Sequence, residues 1–289
     1  MCGIVGLHLR DPGLWPQLGT LLAGMLSEVA DRGPDSAGIA IYGDSTLTPP
    51  DTVTLSLLPS GNPTALADLG TVTVLGPTTL LSSSGSADAV TAAVEAALPG
   101  TTVIGMGAQL AVLKGTGHPD TLAAQFDLPR FGGWQGLAHT RMATESAVTA
   151  AHAHPFSVGD GLCLVHNGSF ANHATIRREL IAGGARFDTD NDSEVAARFV
   201  AACLADGDDL DKALRRVCER FDGFFTLLVS TPTEFAVVRD AIACKPALIA
   251  ETAAWVAMAS EYRALATLPG IENALVFEPA PEEVYTWSR

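Results

Sequence analysis

Cysteine, basic side chains, aromatics and long apolar runs are all scarce in this chain, and each scarcity excludes something. The five cysteines (Cys2, Cys163, Cys203, Cys218 and Cys244) are odd in number, widely spaced and form no Cys-x-x-Cys pair. That argues against a disulfide framework and a cysteine-based zinc site, and it suits a reducing cytoplasm. Lys and Arg number 17 against 32 Asp and Glu, a net charge of −15. So acidic a surface disfavours nucleic acid and anionic membranes as partners. No apolar run approaches the ~18 residues of a membrane span. The N-terminus also lacks the basic-then-apolar layout of a secretion signal. Gly105-Met106-Gly107 lacks the third glycine of a dinucleotide fingerprint, and no P-loop or flavin motif is visible.

What is present reads as a folded chain. Hydrophobic residues make up 47 % and charged ones 17 % of the 289 residues, enough to bury a sizeable core. Apolar residues at Leu14, Leu18, Leu21, Leu22, Met25, Leu26 and Val29 predict an amphipathic helix. It stops at Asp31-Arg32-Gly33-Pro34-Asp35, a turn that leads into a strand over Gly38–Tyr42. Strands are expected around residues 53–57, 72–74 and 103–105, a flexible serine loop at 82–86, and a helix over 87–98. Further on, short strands at 136–138 and 162–165 precede helices at 176–181 and 209–220. Strands follow at 224–229, 235–239, 247–250 and 255–257, then a helix at 261–268 and a strand near 284–287. Helices and strands come in blocks, which suggests sheets sandwiched between helical layers.

Several stretches carry chemistry. Cys2-Gly3-Ile4-Val5-Gly6 opens the chain. If Met1 is removed, Cys2 holds a thiol nucleophile and a free α-amine on one residue, and that amine titrates near pH ~7.7–8, where a general base works well. A buried small cysteine after a start codon is the plainer reading of those five residues alone. His166-Asn167-Gly168 follows the strand Leu162–Val165. Asn-Gly there is first a turn signal, yet it also supplies a side-chain amide and a backbone N–H, the two donors of an oxyanion hole. Asn191 with Glu194 reads as a helix cap, and Asp192 between them as an anion for a cationic group.

Cys2-Gly3-Ile4-Val5-Gly6, Arg32-Gly33-Pro34-Asp35, His139-Thr140-Arg141, Ala153-His154-Pro155, His166-Asn167-Gly168 and Asp192-Ser193-Glu194 occur here in one order. Together they resemble the glutaminase domain of class II glutamine amidotransferases, the N-terminal-nucleophile type. Arg239-Asp240, Lys245-Pro246 and Ala259-Ser260-Glu261 extend the resemblance over almost the whole chain. It implies an α+β fold, a four-layer αββα sandwich of two antiparallel sheets between helical layers. It also implies a single domain over 1–289, with a long variable insertion at about 43–136.

By the same resemblance, Cys2 attacks the glutamine amide, and Asn167 and Gly168 hold the oxyanion. Arg141 binds the α-carboxylate and Asp192 the α-ammonium, while His154 and Thr144 belong to the substrate pocket. Arg32, Asp35, His139 and His166 are read as structural. Met142 departs from the Trp found in several family members. No metal or cofactor is implied for this chain. The pattern at residues 140–146 and 243–246 looks most like stand-alone amidotransferase subunits of glutamate-synthase-like complexes such as N-methylglutamate synthase. Ammonia would then go to separate synthase subunits carrying FMN and an iron–sulfur cluster. Two other readings stay open: an N-terminal-nucleophile hydrolase of another amide, which needs no clamp from Arg141 and Asp192, and a non-catalytic glutamine-sensing subunit.

Overall fold

The computed structural model describes residues 2–142 and 148–289. In chain order the strands of the first half are β1 (Gly3–Leu9), β2 (Ser36–Tyr42), β3 (Val53–Leu58), β4 (Thr71–Leu75), β5 (Thr78–Ser83), β6 (Thr102–Gly107), β7 (Leu110–Thr116) and β8 (Gln135–Arg141). Those of the second half are β9 (Phe156–Val158), β10 (Leu162–Phe170), β11 (Gly223–Ser230), β12 (Glu234–Arg239), β13 (Leu248–Glu251), β14 (Trp255–Ala259), β15 (Leu275–Phe277) and β16 (Tyr285–Ser288). The helices are α1 (Leu18–Glu28), α2 (Ala87–Ala97), α3 (Pro119–Gln125), α4 (His173–Ala182), α5 (Asp192–Ala205), α6 (Leu210–Arg220) and α7 (Tyr262–Leu265).

One sheet has the order β15-β13-β14-β1-β8-β2-β7, a second β16-β12-β11-β10-β9. Side chains alternate between the two faces of each strand, and burial sorts by that period. On β1, Val5, Leu7 and Leu9 pack under α1, α3 and α7. Ile4 belongs instead to the cluster between the sheets, with Leu137, Cys163, Val165 and Val237. The other face of the second sheet is covered by α5 and α6, through Val195, Val200, Leu214 and Val217 among others. The result is four layers, helix–sheet–sheet–helix, in antiparallel sheets as expected.

The segment 43–136 divides in two. Strands β4-β5-β3-β6 make a separate small sheet, with α2 packed on it through Val90 and Val94. Residues 110–116 instead form β7, the edge of the large sheet, paired to β2 from Ser36↔Thr116 to Tyr42↔Leu110.

Four local expectations are corrected. The helix foreseen from Leu14 begins as a 3-10 helix, Pro12–Gln17, before α1; Pro16 has no N–H for an α-helical bond. Ser82 and Ser83 are strand rather than loop. Ser82 Oγ bonds Thr54 Oγ1 at 2.9 Å across the ladder, and the turn begins only before Ser86, which caps α2. Strand β8 runs on to Arg141, because β1 and β2 flank it through Gly3↔Thr140 and Ser36↔Arg141. Asn167-Gly168 is no turn either: β10 passes straight through it, paired Asn167↔Thr226 and Gly168↔Phe225. Tertiary pairing overrides the local Asn-Gly preference.

Lys114 is the odd residue of the inter-sheet layer. It shares a face with Leu110 and Val112 on β7, is 2 % exposed, and lies 4.9 Å from the centroid of Phe156. Burial pulls its pKa down to about 8. The unfolded chain holds that proton up to pH ~10.4, so the penalty is fully present at pH 7 and relieved as pH rises from 8 towards 10. Lys114→Met is expected to stabilise the fold at pH 7 by on the order of 2–3 kcal/mol. That advantage should shrink between pH 8 and 10 in denaturant titrations. A variant no more stable than wild type at pH 7 would show the ammonium to be better solvated than this.

Candidate functional site

The same period-2 rule assembles the site. On β1 the even positions face the second sheet, so Cys2 lies on the face of Ile4. On β8 and β10 the odd positions face inward, which sends His139, Arg141 and Asn167 to the same gap as Leu137, Cys163 and Val165. Cys2, Arg32, Arg141, Met142, His154, His166, Asn167, Gly168, Asn191, Asp192, Ser193, Lys245 and Pro246 line a single cavity of about 440 Å³, a size suited to a small polar molecule.

Cys2 is held by its main chain. Its carbonyl oxygen accepts from Arg32 Nε at 2.9 Å and from Asn167 Nδ2 at 3.2 Å. Gly3 N donates to Thr140 Oγ1 at 3.0 Å, and Ile4 N to Ser260 Oγ at 2.9 Å. The Met142 N–H points at Cys2 Sγ, 3.4 Å away. Arg32 is itself fixed by Glu261, Nη1 to Oε1 2.6 Å, and that contact holds the Glu261 carboxyl below its usual range.

Asn167 presents its two amide ends to different neighbours. Oδ1 accepts from His139 Nε2 at 3.1 Å, and Nδ2 faces Cys2 O and, at 3.4 Å, Ser260 Oγ. Gly168 has φ +151°, and a Cβ there would meet Phe224 O at 2.0 Å, so glycine is required. Asp192 opens α5; its Oδ2 accepts from Phe170 N at 3.0 Å and its Oδ1 from Ser193 Oγ at 3.2 Å. Asn191 caps that helix, its side chain accepting from Ser193 N. Glu194 does not complete the box. It accepts from Asp188 N and Thr189 N, at 3.0 and 2.8 Å, and so shapes the loop that delivers Asp192. Arg141 is buried at the end of β8, and its carbonyl accepts from Asp35 N at 3.1 Å.

The floor is three imidazoles packed at a tilt or edge-on. His139 and His154 have ring centroids 4.1 Å apart, His154 and His166 6.4 Å. Desolvation dominates all three: His139 is pushed down to about 3, His166 to about 4, and His154 well below its ordinary value. All are therefore neutral near pH 7. Neither ring nitrogen of His154 has a partner among the described residues.

Thus Cys2, Arg141, His154, Asn167, Gly168 and Asp192 come together. Thr144, and Met1 ahead of Cys2, lie outside the described residues. Arg32 takes the structural part expected of it, and Ser260, Thr140 and Glu261 support Cys2 without having been assigned that role, although each stood in one of the family landmarks. Among the described residues no three His, Cys, Asp or Glu side chains are placed to hold a metal ion, and no helix is long and apolar enough to cross a membrane.

Comparison with known proteins adds the following. A family profile described as a glutamine amidotransferase domain matches residues 139–267. The glutamine amidotransferase-like protein GlxB of Rhizobium meliloti (strain 1021) is 47 % identical, over 99 % of this chain and 98 % of its own. A putative glutamine amidotransferase of Methanothermobacter thermautotrophicus is 30 % identical over 99 % of both chains. Among solved structures, glutamine phosphoribosylpyrophosphate amidotransferase from B. subtilis superposes with TM-score 0.64 at 18 % identity; this chain spans 49 % of its length. That last likeness is one of fold.

The imidazole floor makes the fold sensitive to acid. Below pH ~6.5 the unfolded chain takes up protons that the native histidines refuse until about pH 4, so stability must fall as pH drops through that window. In His166→Gln one such group is gone, and the slope of unfolding free energy against pH should flatten by up to ~1.4 kcal/mol per unit. Equal slopes in the two proteins would mean that His166 is protonated in the native state.

Proposed function

The chain belongs to the class II glutamine amidotransferase family, and we propose that it hydrolyses the glutamine side-chain amide and supplies the ammonia to a separate synthase subunit. The observation that carries this reading is the convergence of Cys2, Arg141, Asn167, Gly168 and Asp192 on one cavity. With Met1 removed, the Cys2 α-amine takes the thiol proton through a water. The thiolate adds to the amide carbon, and the oxyanion is met by Asn167 Nδ2 and the Gly168 N–H. Collapse breaks the C–N bond, the α-ammonium returns its proton to the leaving nitrogen, and ammonia departs from a γ-glutamyl thioester. Water, deprotonated by the same amine, then releases glutamate and restores the thiol.

Arg141 offers a planar two-donor fork to the substrate carboxylate. Asp192 faces the α-ammonium with the lone pairs that Phe170 N and Ser193 leave over. His154 forms part of the floor, and the family resemblance adds Thr144 to the substrate-binding residues. The acceptor is a glutamate-synthase-like subunit bearing FMN and an iron–sulfur cluster, in a reducing cytoplasm that keeps Cys2 a thiol. What supports a separate acceptor is the motif pattern at residues 140–146 and 243–246.

Intact mass before and after 6-diazo-5-oxo-norleucine tests the nucleophile. The expected result is loss of Met1 and one adduct on Cys2, with Cys2→Ala unlabelled and devoid of glutaminase. Asp192→Asn should raise KM for glutamine by about 10- to 100-fold, the worth of one charge-assisted hydrogen bond. Turnover by Cys2→Ala, or retained Met1 in labelled, active protein, would end this reading.

A further inference from the structure

We infer that His139 is a positioning residue for the oxyanion hole: it fixes which end of the Asn167 amide faces the substrate. This rests on the glutaminase reading above and assigns His139 no proton transfer. The imidazole Nε2 lies 3.2 Å from the carbonyl oxygen of His166 and 3.1 Å from Asn167 Oδ1. A backbone carbonyl only accepts, so Nε2 carries the hydrogen and Nδ1 is bare. Nδ1 correspondingly has no partner among the described residues. The tautomer is thus set by the main chain of the very residue that precedes Asn167.

That donor leaves the amide one orientation. Flipped by half a turn, Asn167 would set its NH2 against the Nε2–H and its Oδ1 against the Cys2 carbonyl, two like-with-like contacts in a buried gap. In the observed orientation, Nδ2 lies 3.2 Å from Cys2 O and 3.4 Å from Ser260 Oγ. The Ser260 contact is the long one, and it is the one an oxyanion on the Cys2-bound carbon replaces. His139 has no exposed surface, and its ring packs against that of His154, centroids 4.1 Å apart and planes tilted by 39°. A donor so confined costs nothing to reorganise during the reaction. Burial keeps the ring neutral down to about pH 3, so the arrangement persists across the working range.

The test is a double-mutant cycle read in kcat and KM. His139→Phe keeps ring volume and removes the donor; it should lower kcat for glutamine hydrolysis about 10- to 100-fold with KM within about 3-fold. His139→Gln, which restores a donor, should recover most of the loss and leave the pH profile of kcat in place. Asn167→Ala should cost about 10²- to 10³-fold. In that background, His139→Phe should cost no more than about 2-fold further, because nothing is left to orient. Multiplicative losses in the double variant, a defect confined to KM, or wild-type kcat in His139→Phe would each overturn the inference. Should His139→Phe fail to fold, the His139→Gln arm and its own cycle with Asn167→Ala decide the matter. Absence of any Cys2-dependent glutaminase in the wild type would sink the parent reading instead, a distinct result.

Discussion

The carbonyl oxygen of Cys2 is the point on which the site depends. Arg32 and Asn167 donate to it from opposite directions, one from the turn after α1 and one from the second sheet. Chain ends fray unless tied down, and here one of the ties is made by Asn167, the residue to which the proposed reaction assigns the oxyanion. On the proposed reaction Asn167 would have two duties: it holds the Cys2 main chain and it would meet the oxyanion. The first makes the second accurate, since the donor and the attacking sulfur are located relative to one shared atom. Strand β1 completes the restraint, lying between β8 and β14 with ladder contacts on both sides.

A second constraint is electrostatic. The gap between the sheets contains imidazoles and an amine where most proteins place only aliphatics. Burying ionised groups there would be costly, and the three histidines meet that cost by staying neutral. Neutral imidazoles can still donate and accept, so the floor keeps directional hydrogen bonding without itself carrying a charge. Charge enters at the rim and the end of the strands: Arg141, Asp192, Arg32 with Glu261, and Lys245. The cavity thus sets charges of both signs at its rim over a neutral polar floor, an arrangement that suits the zwitterionic substrate proposed above.

Much of this was legible in the sequence, and the division follows range of interaction. Residue types and order singled out Cys2, Arg141, Asn167, Gly168 and Asp192, which the fold brings to one cavity. What local patterns misjudged was where strands end. His139-Thr140-Arg141 and Asn167-Gly168 read as loop or turn, because Asn-Gly has a strong local preference and the partner strands lie far away in sequence. The correction matters for function: the pleat, rather than a turn, aims Asn167 at Cys2. Ser260 was visible only as part of a landmark, since a serine 256 residues from Ile4 leaves no periodic trace. Within the insertion three strands and the helix were foreseen, but not that β4-β5-β3-β6 make a sheet of their own.

Met142 shows how a departure at a key position can be reconciled with intact chemistry. Its side chain is 49 % exposed, while its main chain meets Cys2 through the N–H at 3.4 Å and the carbonyl at 3.9 Å from Sγ. A main-chain contact is indifferent to the side chain that accompanies it, so a Trp-to-Met change leaves the donor to sulfur in place. What changes is apolar area at the mouth, where Met supplies a flexible thioether in place of a broad indole face. The nucleophile's environment and the cover over the cavity are therefore separable at this position. The first is fixed by β8 pairing with β1, and the second is left to side chains.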